Sequence, residues 1–105
     1  MLSKNMGNLM KQAQKVQQQM MKLQEELNVR EVSAQSGGGM VEAVINGKGE
    51  LLRLRIEKEV VNPDEAEMLI DLIVAAVGEA QRRAQEMAQG ERDKLTGALN
   101  IPGML

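Results

Sequence analysis

Apolar residues at Met6, Leu9, Ala13, Val16, Met20, Leu23 and Leu27 recur at alternating spacings of three and four. That spacing returns side chains to one side of an α-helix, and it predicts a helix over about 4–28 with a continuous heptad seam. From residue 29 the period changes to two. Val32 and Ala34, then Val41, Ala43 and Ile45, then Leu52, Leu54 and Ile56 alternate with polar or smaller neighbours, as half-buried strands do. Strands are predicted over about 29–36, 40–46 and 51–58. The joints Ser36-Gly37-Gly38-Gly39 and Asn46-Gly47-Lys48-Gly49 are rich in residues that tolerate positive φ, so the strands form two hairpins and one antiparallel sheet.

Asn62-Pro63-Asp64-Glu65 then opens a second helix. Asn62 serves as N-cap, Pro63 takes the first helical position, and two acids face the positive end of the helix dipole. This helix is predicted over about 63–89, with Gly90 interrupting, a short third helix over about 91–99 and a tail over 100–105. From Met68 to Val77 only Asp71 is polar, so the stretch is apolar nearly all round, whereas a helix covering one side of a sheet needs one apolar stripe. Ala66, Leu69, Ile70, Ile73, Val77, Ala80 and Ala84 form one face, with Met68, Leu72 and Ala75 roughly opposite. In a chain with one sheet and few helices, the second cover is most simply another copy. A homodimer is therefore expected, with Met68, Leu69, Leu72, Ile73, Ala75 and Ala76 at its interface. The pattern as a whole predicts a single α+β domain spanning 1–105: long helix, three-stranded antiparallel sheet, second long helix and short C-terminal helix, in a dimer.

Composition limits the chemistry. The 105 residues include no His, Cys, Tyr, Trp or Phe, and only Ser3, Ser33, Ser36 and Thr96 carry hydroxyls. Most pairs of nucleophile and base cannot be assembled from that set, so no enzyme, catalytic residue, metal site or cofactor is expected. Without cysteine there is no disulfide framework, which suits a reducing compartment. The start, Met1 to Asn8, lacks the continuous apolar stretch of a signal peptide. The longest uncharged apolar run, Leu72 to Val77, is too short to span a bilayer. The expected location is the cytoplasm, without membrane insertion or a small-molecule substrate.

A net charge of −2 argues against a polyanion partner, but its distribution changes that picture. Residues 1–24 hold Lys4, Lys11, Lys15 and Lys22 and no acid, a charge of +4; residues 25–81 carry −7 and residues 82–105 carry +1. At about 100° per residue the four lysines fall within about 20° of one line on the first helix, roughly opposite the seam. A buried seam would leave them facing out. An ordinary solvated helix mixes signs for i, i+4 pairing, and this one does not through its first turns. Arg82 and Arg83, late in the second helix, are weaker candidates for anion contact. Arg53 and Arg55 read as a solvated sheet face. The glycine runs join strands rather than a strand to a helix and lack the Ser or Thr of a phosphate loop, so they are turn residues. Methionines at 6, 10, 20 and 21 read as gap-filling core.

The residues also carry a resemblance. Gly7-Asn8-Leu9-Met10-Lys11-Gln12-Ala13-Gln14, Ser36-Gly37-Gly38-Gly39-Met40-Val41, Asn46-Gly47-Lys48-Gly49-Glu50, the run Glu67 to Val77, and Lys94-Leu95-Thr96-Gly97 together resemble, in order and spacing, the YbaB/EbfC family of bacterial nucleoid-associated proteins. The resemblance covers essentially the whole chain. It implies an α–β–β–β–α fold with a short C-terminal helix, a tight dimer with protruding helices, and binding of duplex DNA with low sequence specificity in the nucleoid. It implies that DNA contacts come from the first and C-terminal helices. That supports the lysine row and adds Arg92 and Lys94, which lie beside Glu91 and Asp93. The rival expectation is a protein-interaction adaptor that offers Met6, Met10 and Met20 to a partner. A basic amphipathic helix lying on an anionic membrane is a third, and it requires a free seam.

Overall fold

The structure, a computed structural model, describes the backbone of residues 2–99 and the side chains of residues 5–98. The expected tail over 100–105 and the Lys4 side chain lie outside the described residues. Helix α1 runs Leu2–Val29, strand β1 Glu31–Ser36, β2 Val41–Asn46, β3 Leu51–Ile56 and helix α2 Ala66–Leu99. The strands form one antiparallel sheet in the order β1-β2-β3, each within two residues of its expected limits.

Helix α2 packs across β1 and β2. Val41, Ala43 and Ile45 of the central strand and Ala34 of β1 meet Ala76, Ala80 and Ala84 in the buried core. Alanines along that face let the helix approach the sheet closely, which suits a core without aromatic rings. Two hydrogen bonds hold β1 under the helix: the Ser36 hydroxyl donates to the Leu72 carbonyl at 2.6 Å, and the Arg83 guanidinium donates to the Ser33 carbonyl at 3.0 Å. The Asn62 side chain accepts from the Asp64 N–H at 3.0 Å, the cap read from the sequence. Pro63–Glu65 form a 3-10 turn ahead of α2.

The two hairpin joints work differently. In the first, Gly37, Gly38 and Gly39 all take positive φ, backbone that side chains with a Cβ rarely adopt. In the second, Gly47 docks α1. Its N–H donates to the Leu27 carbonyl at 2.9 Å and to the Arg30 carbonyl at 3.1 Å, satisfying acceptors that the end of a helix leaves open. A Cβ at Gly47 would collide with the Leu27 carbonyl.

Two expectations need correction. The third helix over 91–99 is not a separate element, because α2 continues through Gly90 to Leu99. A helical glycine costs only about 1 kcal/mol against alanine. Here Ala88 is buried just before it, and a Gln89 to Asp93 hydrogen bond of 2.8 Å spans it.

The seam of α1 is buried over only part of its length. α1 runs antiparallel to the C-terminal part of α2, with Gln19, Leu23 and Glu26 across a cleft from Leu95 and Glu91. Each further turn of α2 therefore covers an earlier turn of α1, and the described helix ends at Leu99. Leu27 is 1% exposed, and Val16, Met20 and Leu23 are half-buried, but Met6 is 60% and Leu9 and Met10 each 63% exposed. The first half of α1 extends past the body, and the molecule measures 76 × 20 × 16 Å.

Candidate nucleic-acid interface

Lys11, Lys15 and Lys22 are all exposed and occupy about 16 Å of the α1 axis at 1.5 Å per residue. None of the three enters an ion pair among the described residues. The reason is local. No acid precedes Glu25, so Lys11 and Lys15 have no i, i+4 partner, and the body of the domain does not reach their turns. Three ammonium groups with their donors free can each give hydrogen bonds and charge to an anionic partner.

The arginines are arranged otherwise. On the sheet face away from α2, Arg53 pairs with Glu31, while Arg55 lies 3.7 Å from Glu42 and 3.5 Å from Glu57. On α2, Arg82 pairs with Glu79 at 2.5 Å and Glu86 at 2.6 Å, and Arg83 reaches Glu79 at 3.1 Å. The hydrogen bond from Arg53 holds the Glu31 carboxyl below its ordinary range, and that from Arg82 does the same to Glu79. Arg82 with Arg83 against Glu79 and Glu86 leaves no net charge in that cluster. A phosphate arriving there meets two carboxylates and must break existing pairs.

The arm formed by α1 and the end of α2 is intermediate. Glu91 bridges Arg30 at 3.2 Å and Lys94 at 3.5 Å, chiefly through the Arg30 hydrogen bond, which lowers its carboxyl from the ordinary range. Arg92 is half-buried and lines a cleft with Lys48 of the β2–β3 turn, Gln85 and Gln89. No local pattern signals Lys48 in this position, since it stands 44 positions from Arg92 along the chain. Arg30 was also missed as the tie between α1 and α2; its only linear hint is its place just after the seam.

The residues expected at a dimer interface are divided by the fold. Ala76 is in the core, Leu69, Leu72 and Ile73 pack half-buried against it, and Met68 and Ala75 are exposed. Further apolar side chains are exposed along β3, which lies outside the cover of α2. Leu51, Leu54 and Ile56 register with Ile45, Ala43 and Val41, so they share the helix side of the sheet. Leu51 and Leu54 remain exposed there, Leu52 is exposed at the irregularity beside Leu51, and Ile70 and Val74 on α2 are 57% and 65% exposed. Among the described residues no cluster suited to a metal ion occurs, and no helix is long and apolar enough to cross a membrane.

Comparison with known proteins agrees with this geometry. A nucleoid-associated protein of Clostridium acetobutylicum is 52% identical over 100 residues, 95% of this chain and 89% of the relative. One from Pelotomaculum thermopropionicum is 48% identical over 104 residues, 99% of each. The crystal structure of an uncharacterized protein from Helicobacter pylori shares the fold with a TM-score of 0.64, at 22% identity over 76% of this chain and 93% of that one. The sequence pattern of the YbaB/EbfC DNA-binding family matches residues 3–99, and the chain belongs to that family.

Proposed function

We propose that the protein is a nucleoid-associated homodimer that grips duplex DNA through phosphate contacts from α1, with little preference for sequence. One observation carries this reading: a row of exposed, unpaired lysines along α1 with no acid before Glu25, of which Lys11 and Lys15 stand on the half that extends past the body and Lys22 lines the cleft with Glu26 and Glu91. Lysine is a compact point charge, and a phosphate contact carries no base information. Coating or bending of DNA follows from such contacts, and the absence of aromatic residues leaves no platform for stacking single-stranded bases. Membership of a DNA-binding family supports DNA as the polyanion, and relatives named as nucleoid-associated support a place in the bacterial cytoplasm at the nucleoid. Lys11, Lys15, Lys22 and, by sequence position, Lys4 are the primary contacts. Arg92 and Lys94 are secondary, and Arg82 and Arg83 are the weakest.

The dimer is supported by the uncovered surface formed by Leu51, Leu52, Leu54, Ile70 and Val74. Apolar side chains gathered beside an edge strand mark an interaction surface. A second chain contributing the same patch closes it on itself. Sedimentation at micromolar concentration is expected to find only dimer, and a stable folded monomer would refute this part.

The exposed Met6, Leu9 and Met10 favour one second reading, an adaptor that captures a protein through the α1 seam. Salt separates the two. Gel shifts on unrelated duplexes at two salt concentrations are expected to show similar affinities for all sequences and a steep fall with salt. Capture of a cellular protein that tolerates salt, with no duplex binding, would favour the adaptor.

A further inference from the structure

Arg92 differs from every other arginine of the chain. Arg30, Arg53, Arg55, Arg82 and Arg83 each pair with a carboxylate, whereas none pairs with Arg92 among the described residues. The cause is local. The positions three and four away from it on α2 are Ala88, Gln89, Leu95 and Thr96, so no acid meets it across a helical turn. Its neighbour Asp93 accepts a hydrogen bond from Gln89 at 2.8 Å, and Glu91 is taken by Arg30 and Lys94. A half-buried guanidinium without a counter-ion has given up part of its hydration with no ion pair in return.

Arg92 lines a cleft of about 300 Å³ between α2 and the β2–β3 turn, where Lys48 brings a second cation from across the fold. Among the described residues no acid lines this cleft. The turn fixes Lys48 in place: its backbone N–H donates to Oδ1 of the buried Asn46 at 3.0 Å. Its ammonium group stands 3.9 Å from Glu50, a long ion pair with a residue outside the cleft. The buried Ala84 and Ala88 form the floor, and apolar walls strengthen a charge contact made above them. We propose that this cleft binds a phosphate group, with Arg92 and Lys48 as its two cations and Gln85 as a neutral donor.

The chemistry of the lining selects that ligand. A guanidinium fork matches two oxygens of a phosphate, while an ammonium group gives a point charge to a third. The volume is at the lower end of ligand pockets, with room for the phosphate and the first atoms of what carries it. The carrier is a free phosphomonoester or the backbone of duplex DNA, since both present the same oxygens. This inference does not rest on the α1 lysines, because none of them lines the cleft.

The test titrates the full chain, labelled with nitrogen-15, with inorganic phosphate and then with adenosine monophosphate, at an ionic strength held constant with chloride. Saturating shifts are expected at the amides of Gly47, Lys48 and Gly49 and at Nε of Arg92, with none of that size at Lys11 or Lys15. Lys48→Gln and Arg92→Gln are each expected to weaken binding about tenfold, and Arg92→Lys to recover part of the loss, because charge returns without the fork. Lys48 is exposed on its turn, so Lys48→Gln reads the site even if Arg92→Gln does not fold. A short duplex added to a variant with Lys11→Gln, Lys15→Gln and Lys22→Gln identifies the carrier. Shifts at Lys48 and Arg92 there assign the group to DNA, and shifts with phosphate or adenosine monophosphate alone assign it to a free phosphomonoester. No saturating shift with any of the three ligands, or binding that Lys48→Gln leaves unchanged, would overturn the proposal.

Discussion

The row of lysines on α1 and the arginines on the body of the domain have the same formal charge and different availability. Each of Arg53, Arg55, Arg82 and Arg83 lies beside one or more carboxylates. Lys11, Lys15 and Lys22 have no such partner among the described residues. Exposed ion pairs contribute only about 0–1 kcal/mol each to stability, so the arginines do little to hold the fold. Their pairing matters for a different reason: it cancels the field that would attract a phosphate. What makes a basic surface in an acidic protein is the exclusion of acids from one stretch, and the count of basic residues is a poor guide to it.

The largest expected effect comes from separating the two regions. Gly47→Ala drives a Cβ into the Leu27 backbone at the joint between α1 and the sheet. Neither group is the end of a flexible side chain, so the turn or the helix must shift. A loss of about 2 kcal/mol or more is expected in urea unfolding, with increased exchange at residues 16–29 and less effect on β2. A Gly47→Ala protein as stable as the parent would remove the joint from the account.

Next in size is the proposed dimer. Leu54→Asp with Val74→Asp puts a charge from each of two elements onto the uncovered apolar surface, where burial by a partner becomes costly. Sedimentation is expected to show dissociation, and duplex affinity is expected to fall although every lysine remains. An unaffected dimer would place the interface elsewhere, with Met68 and Ala75 as the remaining exposed candidates.

Much of this was legible in the sequence, and the failures have identifiable causes. The alternation in Val41, Ala43 and Ile45 marked the central strand because both neighbours pair with it and one face lies under α2. Asn62 and Pro63 marked a helix start by local chemistry that needs no tertiary context. Gly90 was misread because a single glycine lowers helix stability without forbidding the helix, and neighbours such as Ala88 decided the outcome. Met6, Met10 and Met21, expected in the core, are exposed, since periodicity reports which side of a helix is apolar and not how far its partner extends. The lysine row was legible as a line; its freedom from partners depended on where the body stops. Leu51, Leu52 and Leu54 gave no sign of remaining uncovered, because that follows from α2 lying over β1 and β2.

Smaller effects test the silent half of the comparison. Arg82→Gln is expected to leave duplex affinity within about twofold of the parent, because the residue is committed to Glu79 and Glu86 and such surface pairs contribute little. A tenfold loss in a fluorescence-anisotropy titration would show that the pair opens for DNA. The smallest effect concerns acid. Glu31 and Glu79 have carboxyls lowered from the usual 4.5, so they bind protons less readily folded than unfolded. Their contribution is complete above that value and is lost as pH falls through the lowered folded values. Glu31→Gln with Glu79→Gln is expected to flatten the fall in melting temperature below about pH 4.5 slightly. An unchanged profile would mean that these pairs are open in solution.

The most direct test of the central claim is the salt dependence of duplex binding by a folded dimer in which Lys4, Lys11, Lys15 and Lys22 are all replaced by Gln. The parent protein is expected to show a slope of log K against log salt of about −3 to −5, bounded near −7 if all eight lysines of the proposed dimer met phosphates. The variant is expected to lose duplex binding, and any residual binding should have a slope near zero. Parental affinity and slope in a variant that remains folded and dimeric would contradict the claim that the α1 lysines hold the DNA.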